Sequence, residues 1–153
     1  MRYLPLTAIA VAAFTLFHSR AAADPRAPLD DVLATAAQVR VAALEMTQLL
    51  KDRRPDMPVV LQHLSILQER ARVLREAMAT IDVEAMILIP ADRVSLERAL
   101  AAADALGALL QNKAALLADP VRAERDRRLI RAKAEGIARR AEVVEDQVSR
   151  VRG

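Results

Sequence analysis

Between residues 29 and 151 the apolar positions recur at alternating steps of three and four, in four separate series. The first is Leu29, Val32, Ala36, Val39, Ala43, Met46 and Leu50. The second is Val60, Leu64, Leu67, Ala71, Leu74, Met78, Ile81, Ala85 and Leu88. The third is Leu96, Leu100, Ala103, Gly107, Leu110, Ala114 and Leu117, and the fourth Ile130, Ala134, Ile137, Ala141, Val144, Val148 and Val151. No charged residue interrupts any series. A mean step of 3.5 is the seam of a helix that coils against others, whereas a half-buried strand alternates every second residue.

Prolines punctuate the gaps. Asp24-Pro25 and Ala27-Pro28 precede the first series, and Arg53-Arg54-Pro55-Asp56-Met57-Pro58 separates the first from the second. Ile89-Pro90-Ala91-Asp92 and Asp119-Pro120 make the remaining breaks. Proline fits the first turn of a helix, where its missing N–H has no partner to lose, and Asp119 suits the N-cap before Pro120. The pattern predicts helices over 29–51, 58–88, 91–118 and 120–152, each about 35 to 50 Å long. Links this short fold successive helices back on one another. The expected fold class is all-α: an elongated, up-down-up-down four-helix bundle with coiled-coil-like heptad packing. Unequal lengths leave one end of the fourth helix to project or to pair with a second copy.

Two stretches are wider in apolar character than one seam. The third helix carries a second stripe, Ala99, Ala102, Leu106, Leu109 and Leu116, broken by Lys113. It packs against two neighbours or leaves a groove. Gly107 within this helix marks either a close helix contact or a bend. The run Val83 to Ile89 is apolar almost all round, as for a bundle end capped by loops or a patch for a partner. Candidate partner-binding residues are therefore Leu106, Leu109, Leu116, Met86, Ile87 and Ile89. Arg125, Arg128 and Arg131 join them, from the cation-rich start of the fourth helix.

The first 23 residues read differently. Met1-Arg2-Tyr3 is followed by an uncharged run from Leu4 to Phe17 and then by Ala21-Ala22-Ala23 before Asp24. This charged, apolar, small-residue order is that of a secretory signal peptide, cut after Ala23. The apolar run is shorter than the roughly 20 residues of a spanning helix. An uncleaved N-terminal membrane anchor is the alternative. The expected domains are a leader over 1–23 and one helical domain over 24–153, periplasmic or secreted.

Composition narrows the chemistry. There is no Cys and no Trp, and the three aromatic residues, Tyr3, Phe14 and Phe17, all lie in the leader. The domain core must be aliphatic, and disulfides, thiol nucleophiles and thiolate metal sites are excluded. The formal charge is +3, of which Arg2 and Arg20 supply two, so the domain is near balance. The cluster Arg122, Arg125, Arg127, Arg128, Arg131, Lys133, Arg139 and Arg140 is interleaved with Glu124, Asp126 and Glu135. Spacing of four suits Glu124 with Arg128 and Glu135 with Arg139. No aromatic side chain is present to stack on bases, so nucleic acid is not an expected partner. An anionic membrane surface is a weaker expectation than a solvated face.

His63 is the one histidine of the domain, and with Met46, Met57, Met78 or Met86 it offers axial ligands of the haem type. The cofactor-binding candidates are His63, Met46 and Met78. No Cys-x-x-Cys-His, Glu-x-x-His, Gly-rich phosphate loop or Ser in a strained Gly turn accompanies them, and neither a cofactor nor a metal is expected. The expected function is a non-catalytic, protein-binding, assembly or chaperone-like module of the cell envelope, its partner another envelope protein or its own copy. A periplasmic bundle binding a small ligand, haem or a metal is the alternative. N-terminal sequencing of the exported protein is expected to start at Asp24; a start at Met1 points to the anchor.

Overall fold

A computed structural model describes residues 27–153 apart from 85, 87, 120 and 122–124, and along 111–118 it describes the course of the helix alone. The expected leader lies outside the described residues. Among the described residues there are four long helices and no strand: α1 (Ala27–Leu49), α2 (Met57–Ala79), α3 (Pro90–Ala118) and α4 (Arg127–Arg152). Each helix packs on the next in the chain, and α4 closes on α1 in the most extensive contact of all. Among the described residues no close contact joins α1 to α3 or α2 to α4, and α2–α3 is the sparsest pairing.

The prolines start helices as their chemistry requires. Asp56 precedes α2 in extended conformation, with Pro58 in the first turn, and its carbonyl accepts the Val60 N–H at 3.0 Å. Ile89 does the same for α3, with Pro90 in the first turn and its carbonyl accepting the Arg93 N–H at 3.1 Å. Asp30 and Asp92 lie in the first turns of α1 and α3, where the positive end of the helix dipole favours a carboxylate.

Two expected boundaries need correction. The second helix ends at Ala79, not near 88. Thr80 donates its backbone N–H to the Ala77 carbonyl and Ile81 its own to the Met78 carbonyl, both at 3.2 Å, and the Thr80 hydroxyl also donates to Ala77 at 2.7 Å. The next residue, Ile81, is β-branched like Thr80, and Asp82 takes the Glu84 N–H on its carboxylate at 3.0 Å. Both features compete with a continuing helix. The apolar series survives this break because the linker folds down on the core: Met86 is buried and Val83 and Leu88 are half-buried. The fourth helix begins at Arg127, not near 120. Asp119 ends α3 in extended conformation and accepts the Val121 N–H on its carboxylate at 3.0 Å, the capping bond expected of it. Arg127 and Arg128 in the first turn of α4 oppose the helix dipole and weaken that end.

Every position of the first and fourth apolar series is buried, as are Val60 to Met78 of the second. On α3 Leu96, Ala103, Gly107 and Leu110 of the expected series are buried and Leu100 is half-buried, while Ala99 and Leu106 of the second stripe are buried beside them. Both rows run in steps of three and four, so spacing alone did not separate them. Gly107 is close-packed: an added Cβ would lie 3.2 Å from the Arg75 guanidinium that crosses α3 from α2. It marks a close helix contact and has no positive φ that would bend the chain. Thr47, the buried polar residue, donates its hydroxyl to the Ala43 carbonyl at 2.9 Å and leaves no orphan.

Alanine and valine dominate where α1 meets α4, so those backbones approach closely and each layer buries little area. Leu74, fully buried on α2, carries a larger share. Leu74→Ala is expected to lose about 2–5 kcal/mol in urea unfolding. Gly136 sits inside α4 with nothing within 4 Å of an added Cβ. Gly136→Ala is expected to gain about 1 kcal/mol from helix propensity.

Candidate functional site

The interior, the α1–α4 surface and the α4 start each gather side chains that sequence reasoning had singled out. Inside, Met46, Leu64, Leu67, Leu110, Ile130, Ala134 and Ile137 surround an apolar cavity of about 20 Å³, with Leu109, Leu129 and Lys133 at its edge. That is room for about one water, which needs polar partners that this lining lacks, and drug-sized ligands need roughly 300 Å³ or more.

His63 does not join Met46 in this space. Its neighbour Leu64 faces the core, whereas His63 lies on the flank of α2 with Nδ1 3.7 Å from the Glu45 carboxylate of α1. Met78 is buried on the same helix, but fifteen residues from His63 correspond to roughly 22 Å of helix rise. The two cannot ligate one metal ion. Among the described residues no group of three or more His, Cys, Asp or Glu side chains comes together.

On the outside, α1 and α4 are joined by two ion pairs. Arg40 donates from Nε to Glu145 Oε1 at 2.7 Å and from Nη2 to Oε2 at 3.3 Å, a bidentate fork on a half-buried carboxylate. The hydrogen bond to Glu145, the charge of that carboxylate and the charge of Glu142 all hold the Arg40 proton more tightly than usual. Arg152 reaches Asp30 at 2.8 Å, which puts the end of α4 beside the start of α1. Next to the Arg40 fork an open groove of about 380 Å³ is lined by Arg40, Leu44, Glu135, Ala138, Arg139 and Glu142. Leu44 is 48% exposed and Val41, one turn earlier, 45%. On α2 the exposed Arg72 bridges Glu69 and Glu76 along its own helix, and hydrogen bonding from Arg72 draws Glu69 below the usual carboxylate range.

The expected partner-binding residues separate. Leu106 and Met86 are buried by the chain's own core, and Leu109 is half-buried at the cavity edge. Ile89 stands out at 63% exposure, at the N-cap of α3. Ile87 and the side chain of Leu116 lie outside the described residues. Arg125 and Arg128 are exposed and line one cleft, whereas Arg131 is held by Glu135 at 3.1 Å. The expected partner of Glu135 was Arg139. The glutamate side chain leans toward the helix N-terminus, over the turn that holds Arg131, and Arg139 lines the groove instead. Glu124, the expected partner of Arg128, lies outside the described residues.

Residues that sequence reasoning missed are Arg40, Leu44, Val41 and Glu145. Arg40 and Glu145 are 105 positions apart, and no local pattern links them. The one available signal was that Val41 and Leu44 are apolar but off the first series. No helix among the described residues is long and apolar enough to cross a membrane. No protein-family model, no curated protein and no solved structure matches the chain.

His63, with Glu45 as its neighbour and no second ligand at hand, is expected to make no difference to cofactor uptake. A haemin titration followed by absorbance should give the same curve for the native protein and His63→Ala.

Proposed function

We propose that the chain is an exported, non-catalytic helical bundle that acts as a protein-binding or assembly module of the cell envelope, working through its outer helix faces. The observation that carries this reading is Val41 and Leu44 of α1, nearly half exposed beside the charged α1–α4 groove. A module of this kind binds by surface complementarity: an apolar centre supplies the energy, and a charged rim of Arg40, Glu135, Arg139 and Glu142 sets orientation.

An up-down-up-down arrangement with heptad packing is part of the same proposal. Contacts along α1 support it, because position rises on one helix as it falls on the next. Glu45 meets His63 while Gln38 accepts from Arg70 on α2, and Asp30 meets Arg152 while Arg40 meets Glu145 on α4. Burial in steps of three and four on all four helices supports the heptads. The ligand- or haem-binding alternative draws no support from a cavity of about 20 Å³.

Sedimentation of the exported chain, together with photo-crosslinking from position 44 in the intact envelope, tests the proposal. The expected result is a self-associated species or a defined crosslinked partner, lost in V41S/L44S while helical content stays unchanged. A strict monomer that yields no crosslink from position 44 contradicts it.

A further inference from the structure

Arg53, from the linker between α1 and α2, meets the start of α4 in an open cleft of about 360 Å³ lined by Arg53, Arg125, Asp126, Arg127, Arg128 and Leu129. Among the described residues, four arginines and one aspartate line it. Elsewhere Arg40, Arg72, Arg93, Arg131, Arg150 and Arg152 sit in ion pairs, as Arg54, Arg75, Arg98, Arg139 and Arg140 do not among the described residues. In the cleft, Arg125 only approaches Asp126 at 4.0 Å, and among the described residues no ion pair engages Arg53, Arg127 or Arg128.

Two further features have the same sign. Nη1 of Arg127 is shut off from solvent and has no hydrogen-bond partner. A buried donor of a charged group left unpaired is costly, and an anion within reach removes that cost. Asp126 stands at the N-cap of α4 without a side-chain capping bond. The cleft thus lies at the positive end of the helix dipole.

We propose that this cleft is a binding site for a phosphate-type oxyanion, with the Arg127 and Arg53 guanidinium groups as its principal donors. Tetrahedral oxygens match the forked donors of arginines, and among the described lining residues the cations outnumber the one carboxylate. The ligand's source is a phospholipid headgroup or a soluble phosphate, which share this chemistry. The site stands apart from the assembly surface at Val41 and Leu44, so a monomer that captures no partner is still expected to hold it.

Thermal melts and calorimetric titration of the purified protein with inorganic phosphate test the site, with chloride at equal ionic strength and pH as reference. Phosphate is expected to raise the Tm above the chloride value. R53Q/R127Q is expected to lose that increment and to bind phosphate at least tenfold more weakly. R150Q, which removes a cation from an exposed pair on the same helix, is expected to keep both. Equal Tm values in phosphate and chloride, or equal losses in R53Q/R127Q and R150Q, overturn the proposal. Co-sedimentation with phosphatidylglycerol vesicles then separates the sources. Binding that phosphate competes away and R53Q/R127Q abolishes assigns a headgroup, and phosphate binding without such vesicle binding assigns a soluble ion.

Discussion

The contact between α1 and α4 carries the fold. The two helices are the first and last of the chain, and their apolar series are buried without exception, from Leu29 to Leu50 and from Ile130 to Val151. The side chains there are mostly Ala and Val, which let backbones approach but remove little surface each from water. Stability must therefore come from many layers in register, and one charge in either series would break a run with no spare area. The Arg40–Glu145 and Arg152–Asp30 pairs lie along the edge of this contact. Exposed or half-exposed pairs of this kind contribute about 1 kcal/mol or less each, so they tune the register more than they hold the helices together.

The rest follows from what that contact leaves over. α2 and α3 complete the ring through a sparser pairing, where Gly107 admits Arg75, and the core has a small gap around Met46 and Leu67. One end is closed by the linker after Ala79, which turns Met86 inward and leaves Ile89 outside. The other end collects Arg53 with the arginines at the start of α4. Among the surfaces this leaves are the α1–α4 groove, with Val41 and Leu44 exposed, and the arginine cleft. The proposed recognition role draws on the first of them.

Much of this was legible in the chain. Three apolar series predicted burial residue by residue up to Met78 of α2, because no charge interrupts them and prolines fence them. The failures have local physical causes. At 80–84 the series continues, but Thr80, Ile81 and Asp82 divert the backbone into turns, so a buried Met86 arrives on a loop instead of a helix. On α3 two apolar rows share the same spacing, and only the neighbours decide that Leu106 goes inside and Leu100 sits at the edge. The surface was least legible. Arg40 with Glu145, and Arg53 with Arg127, are brought together by folding alone, while the histidine and methionines that looked like ligands are kept apart by the helix faces they occupy.

The account rests on α4 returning along α1 so that their apolar edges match. The chain has no cysteine, which makes paired thiols a clean probe of that path. A short bismaleimide should close D30C/R152C within a single chain, at monomer mass and independently of concentration, and leave D30C/R128C open. Closure of D30C/R128C in preference to D30C/R152C would contradict the account.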